Sequence, residues 1–210
     1  MIDRDRKPCM LVAPIYKRWH LSGLTMWKVA VEIGTHRGEF ARALLDARYT
    51  VGNERMSYEY TLYCVDPWEN LPGYEEQAAY LVGGGQNREE DYREAQRVTE
   101  PFARAGRCLL LKSTSAIAAT KFSDNSVCLG YLDGDHTPKG ITNDLYDWWP
   151  KIRSGGVLAG HDFICPGADG SWGRFIQPAV LAFAKEVGVD VSIIVEPENG
   201  DPWSFYLTKP

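Results

Sequence analysis

Short apolar runs that stop abruptly in glycine or polar residues recur along the chain. Five of them, at 29–33, 60–65, 108–111, 126–132 and 157–160, run out at Gly34, Asp66, Lys112, Asp133 and His161. Runs of this kind predict buried parallel strands that open into loops at their carboxyl ends. Between them lie stretches of helical period: 39–45, the charged amphipathic run 87–105, 116–121, 139–149, and 175–187 with Pro178 near its start. Strands alternating with helices predict an α/β domain built on a parallel sheet, and such sheets bind ligands at the carboxyl ends of their strands. Two further β-rich runs, 191–195 and 203–207, are joined by a connection too short for a helical crossover, so they are expected to pair antiparallel.

The remaining segments predict less regular structure. Residues 1–28 read as an N-terminal segment packed on a single domain spanning 29–210. In that segment Pro8 and Pro14 break any long helix, 21–28 holds a short one, and Tyr16 and Trp19 flank a mouth or the core. Residues 50–57 read as a polar connection, and Gly83-Gly84-Gly85 as a mobile hinge or lid. Gly155-Gly156 is expected to turn the chain into the fifth strand, and 167–173 to form a flexible loop after it.

Composition narrows the function classes. With 44% hydrophobic residues in 210, the chain can bury one real core. A net charge of −5 and a pI near 5.4 give no basic footprint, so neither nucleic acid nor an anionic membrane is an expected partner. The five cysteines are scattered and lack C-x-x-C spacing, which predicts reduced, buried thiols. The amino terminus has no apolar signal core and no run is long enough to span a bilayer, so the expected location is cytoplasmic.

Candidate chemistry gathers at the predicted strand ends. Glu32-x-Gly34-x-x-x-Gly38 lies between a strand and a helix, where glycines permit a tight turn and close ligand approach, with Thr35 and His36 offering backbone contacts. Its spacing is not the G-x-G-x-x-G of a dinucleotide site, which argues against a nicotinamide dehydrogenase. Asp66 at the second strand tip is placed to accept both hydroxyls of an adenosyl ribose, and Trp68 beside it either stacks on adenine or covers the core. Ser113, Thr114 and Ser115 lie at the third tip as helix caps or as an adenine edge. At the fourth and fifth tips stand Asp133 with His136 and His161 with Asp162, a histidine and carboxylate pair at each.

These blocks also carry a family resemblance. Tyr131-Leu132-Asp133-Gly134-Asp135-His136, then Asp144-Leu145-x-x-Trp148-x-Pro150, then Gly155-Gly156-Val157-Leu158-Ala159-Gly160-His161-Asp162-Phe163 resemble the methyltransferase domain 24 family. That family includes macrolide sugar O-methyltransferases. More broadly the chain is similar to class I S-adenosylmethionine-dependent methyltransferases, which implies a Rossmann-like, doubly wound seven-stranded sheet, mostly parallel with a C-terminal antiparallel hairpin. The resemblance implies that Glu32, Gly34 and Gly38 line the methionine end of S-adenosylmethionine, that Asp66 holds its ribose, and that Ser113, Thr114 and Ser115 lie near its adenine. By analogy with metal-dependent relatives it implies a divalent cation on Asp133, His161 and Asp162. A histidine where those relatives carry a carboxylate leaves Mg, Mn, Fe and Zn all open. The expected activity is methylation of a small hydroxylated acceptor, with His136 as base and Asp133 beside it, and a homodimer is left open. The alternatives are an oxygen-activating hydroxylase using His136, His161 and Asp162, and a non-catalytic cofactor-binding module.

Overall fold

The computed structural model describes residues 29–46, 48–51, 54–57, 60–71, 87–164, 174–194 and 203–210. In chain order the elements are β1 (Val29–Ile33), α1 (Glu39–Asp46), β2 (Arg48–Val51), β3 (Glu54–Ser57), β4 (Thr61–Asp66) and α2 (Arg88–Arg104). They continue with β5 (Cys108–Lys112), α3 (Ser115–Ala119), β6 (Val127–Leu132), α4 (Pro138–Trp148), a short 3-10 turn, β7 (Ile152–Ile164), α5 (Ile176–Val187), β8 (Val191–Ile194) and β9 (Trp203–Thr208).

Seven strands form one sheet in the order β5-β4-β1-β6-β7-β9-β8. The first five of these are parallel to one another, and β9 runs antiparallel between β7 and β8. This is the doubly wound, mostly parallel sheet with a terminal antiparallel hairpin that the pattern and the family resemblance together implied. Helices cover both faces, so residues of the central strands are shielded whichever way they point, and β6 is buried at every position. One face packs Ala30, Leu62, Leu129 and Tyr131 against Ala41, Leu44 and Leu45 of α1. The other packs Val31, Ile33, Val65 and Leu132 against α4 and α5 through Leu145, Trp148, Val180 and Phe183. Full burial of Leu145 and Trp148 stabilises the seat of α4 by about 2–3 kcal/mol each.

Two local expectations need correction. Residues 48–57 are not a plain polar connection: β2 and β3 pair antiparallel from Arg48↔Ser57 to Val51↔Glu54. The intervening Gly52-Asn53 is a dipeptide suited to a two-residue hairpin, a signal present in the sequence. Nor do Gly155 and Gly156 turn the chain into the fifth strand, because β7 already begins at Ile152. Gly155 has φ +72 and the β6–β7 register shifts between Val127 and Leu129, so the glycines form an irregularity inside the strand. Helix α5 ends at Val187 as expected, and Gly188 caps it in a left-handed conformation with its N–H bonded to the Ala184 carbonyl.

Cys64, Cys108 and Cys128 are free and buried. Among the described residues no helix is long and apolar enough to cross a membrane. The expectations for 1–28, for the triple glycine, for 167–173 and for Cys9 and Cys165 fall outside the described residues.

Candidate functional site

The tips of β1, β4 and β6 are stitched together at one end of the sheet. Gly34 N–H donates to the Val65 carbonyl at 2.8 Å, and Asp133 N–H donates to the Ile33 carbonyl at 2.8 Å. Gly34 has φ +87, and a Cβ built on it would stand 1.9 Å from the Asp133 carbonyl oxygen. No side chain fits there. Gly38, at φ +79, faces Val98 and Ala95 of α2, with a built Cβ 2.9 Å from Val98 Cγ2. At both positions the space of the missing side chain is taken by this chain's own strands and helices.

Glu32, one residue before the tip, is buried and accepts a hydrogen bond from Thr35 Oγ1 at 2.9 Å. Burial pushes its carboxyl up to about 8, against the lowering effect of the Thr35 bond. Asp66, at the neighbouring tip, has both oxygens fixed by backbone donors: His36 N–H to Oδ2 at 2.9 Å and Trp68 N–H to Oδ1 at 2.7 Å. Each oxygen retains acceptor capacity for a hydroxyl. The indole of Trp68 donates to the His36 carbonyl at 2.6 Å and is 2% exposed against Tyr92. Of its two readings, the geometry displays the core-covering one.

The hydroxyls after β5 are engaged within the fold. Thr114 caps α3 by accepting from Ile117 N–H, Ser113 Oγ donates to the Thr114 carbonyl, and Ser113 N–H donates to the Asp66 carbonyl. Ser115 Oγ donates to Asp144 Oδ1 at 2.5 Å and accepts from the Trp148 indole at 2.9 Å, tying α3 to α4. Asp144, which belongs to the second block of the family resemblance, is buried here. Burial pushes it up to about 7, opposed by the Ser115 hydrogen bond.

The tips of β6 and β7 build the second half of the site. Thr137 caps α4 by accepting from Gly140 N–H at 3.0 Å, with Pro138 in its first turn, and Asp135 Oδ1 accepts from Thr137 N–H at 2.8 Å. Because Thr137 is the cap, His136 is turned to other partners. Its Nε2 lies 2.7 Å from Asp162 Oδ2 and 3.6 Å from Asp133 Oδ1. Asp162 reaches it from a break in the β7–β9 register, with its backbone left-handed at φ 56.

Asp133, His136 and Asp162 offer ligand atoms that all lie within 4.8 Å of one another. The expected set of Asp133, His161 and Asp162 therefore differs from the assembled cluster in one member, and the set of two histidines with Asp162 differs as well. His161 stands beside Asp162, with Nδ1 3.4 Å from Oδ2. Successive strand residues point to opposite faces, so adjacent ligands on β7 were not to be expected without distortion.

The electrostatics of this rim are dominated by its carboxylates. Burial alone would lower His136, but the hydrogen bonds and charges of Asp133 and Asp162 outweigh it and hold the imidazolium up to about 10. Burial likewise opposes ionisation of Asp162, yet His136 and His161 keep its carboxyl well below the usual range. The carboxylates of Asp133 and Asp162, with the His136 imidazole beside them, are a setting that fits a divalent cation such as Mg, Mn, Fe or Zn.

Residues 31–163 match a family described as a methyltransferase domain. No curated protein matches the chain significantly. Solved structures similar to it include an O-methyltransferase from Bacillus cereus in complex with S-adenosylhomocysteine (SAH), at 12% identity and TM-score 0.61, covering 99% of this chain and 84% of that one. A proposed caffeoyl-CoA O-methyltransferase from Staphylococcus aureus is similar at 10% identity and TM-score 0.61, covering 99% and 85%. Precorrin 8w decarboxylase from Methanobacterium thermoautotrophicum is similar at 14% identity and TM-score 0.54, covering 96% and 90%. At these identities the likeness is one of fold.

Proposed function

The chain belongs to the methyltransferase domain family, whose members use S-adenosylmethionine, and on that premise we propose that it methylates an oxygen of a small hydroxylated acceptor. One observation carries this reading: Asp66 and the Asp133–His136–Asp162 rim stand at the same end of the sheet, on the parallel run of strands β4-β1-β6-β7. A sulfonium donor held at the β1 and β4 tips would present its methyl group toward the β6 and β7 tips. Methyl transfer is an in-line displacement, so alignment of acceptor oxygen and methyl carbon is most of what the protein must supply.

In this reading Asp66 receives the ribose hydroxyls, Glu32 and Thr35 face the methionine end, and Ser113 borders the adenine. His136 stands nearest the acceptor oxygen. Clamped by two carboxylates it keeps its proton far above neutrality. A base role for it therefore requires that their charge be offset. A divalent cation on Asp133 and Asp162, when bound, supplies that offset together with Lewis acidity that lowers the pKa of an acceptor hydroxyl. Asp162 then holds the imidazole ring in orientation at Nε2.

The test is incubation of the full chain with isotopically labelled S-adenosylmethionine and a panel of hydroxylated sugars and phenols, read by mass spectrometry. The reading expects a product one methylene heavier and carrying the label, and its loss in His136→Gln. A product one oxygen heavier, or no turnover with any acceptor by a chain that binds SAH, would overturn it.

A further inference from the structure

Asp66 owes its orientation to two backbone donors, and α2 grips both of them. His36, which supplies one N–H, has φ 50, a left-handed conformation that residues with side chains adopt reluctantly. Its imidazole lies 3.5 Å from the carboxylate of Asp91, in the first turn of α2. Arg37 from the same loop and Arg88 from α2 approach that carboxylate at 3.9 and 3.8 Å. The next residue of the helix, Tyr92, packs on Trp68, the other donor to Asp66, with ring centroids 4.8 Å apart.

Asp91 is buried, and among the described residues its Oδ2 makes no hydrogen bond. A buried carboxylate in that state depends on the cations around it, and they depend on it. An acid in the first turn also suits the helix dipole, but Glu89 and Glu90 do that from exposed positions. The dipole does not explain why Asp91 alone is turned inward onto the His36–Arg37 loop.

We propose that Asp91 is a positioning residue for the cofactor, holding the His36 loop so that the His36 N–H keeps the Asp66 carboxylate aimed at the ribose hydroxyls. This rests on the reading of Asp66 given above. Asp91 acts through Asp66 and touches no reacting atom.

The experiment is calorimetric titration of SAH into the full chain, Asp91→Asn, Asp66→Asn and the double variant. Asp91→Asn keeps the shape and removes the charge. It is expected to weaken SAH about tenfold, the low end for loosening a hydrogen bond to a charged group. In the Asp66→Asn background the same change is expected to have no further effect, because the route is already cut. Full additivity of the two losses, or an unchanged affinity with only a lowered melting temperature, overturns the proposal and assigns Asp91 to helix stability. Should Asp91→Asn fail to fold, His36→Asn completes the same cycle, since Asn tolerates left-handed backbone, and additivity there overturns the proposal equally. If the native chain binds no SAH, the methyltransferase reading itself fails, an outcome distinct from native binding that Asp91→Asn leaves intact.

Discussion

Replacing Gly34 with alanine puts a methyl group where two strand tips meet. The new Cβ would stand 1.9 Å from the Asp133 carbonyl oxygen, and ordinary contact begins only at 3.4 Å. The obstacle is backbone, so no side-chain rotation relieves it, and the β1 and β6 tips must part by about 1.5 Å. Parting them strains the bond from Asp133 N–H to the Ile33 carbonyl and shifts Asp133 away from His136. Overpacking costs about 1–3 kcal/mol, and the left-handed φ of +87 adds about 1–2 kcal/mol. The sum corresponds to a fall in melting temperature of roughly 4–20 °C for a domain of this size. A built-in control exists in Gly106, at φ +70 with nothing within 4 Å of a built Cβ. Gly106→Ala bears only the conformational part, roughly 2–8 °C, and should leave SAH affinity unchanged. Thermal melts of both variants, with SAH titrations of each, separate the two contributions. If Gly34→Ala melts no lower than Gly106→Ala and binds SAH as tightly as the native chain, the stitching of the tips does not matter and the reasoning fails.

Other consequences follow from the buried charges. Glu32 keeps its proton to about 8 in the folded chain but releases it near 4.5 once unfolded, so native stability falls as pH rises between those values. The melting temperature of Glu32→Gln should therefore gain on the native one from about pH 5 to about pH 8, and a constant difference would contradict this. His136 is raised rather than lowered, so its clamp contributes fully below about pH 6.5 and is lost as pH rises through about 10. Asp162→Asn should bring the His136 titration down, as read by NMR of the imidazole protons, and should weaken divalent cation binding; an unchanged titration would show that Asp133 alone holds the ring. At the far end of the sheet Lys209 Nζ donates to the carbonyls of Trp149, Pro150 and Ile152 and to Asn125 Oδ1. Lys209→Met should cost about 1–3 kcal/mol in a denaturant melt without altering SAH affinity, and coupled losses of both would refute the separation of this latch from the site.

The parts of the fold that were legible are those where polarity changes abruptly. Each main strand tip was marked by a glycine or a polar residue because a buried strand tolerates polar groups only where it leaves the sheet, as at Asp66 and Asp133. The start of β7 was misjudged for the opposite reason: Gly155-Gly156 reads as a stop but sits inside the strand as an irregularity, which depends on pairing with β6 and β9. Among the described residues the assembled cluster takes His136, where adjacency to Asp162 had suggested His161. His161 precedes Asp162 in sequence, yet a register break and a left-handed φ at Asp162 turn its carboxylate to His136 on another strand's loop. No local pattern encodes that distortion. Asp91 did leave a trace, since it falls on the same helical stripe as the buried Ala95, Val98 and Thr99, where an acid is out of place.

The account stands on where the cofactor lies, so a crystal structure of the chain with SAH bound tests it most directly. It should show the ribose hydroxyls on the Asp66 carboxylate and the sulfur directed toward Asp133, His136 and Asp162. SAH seated elsewhere, or with its sulfur turned away from that rim, would contradict the account.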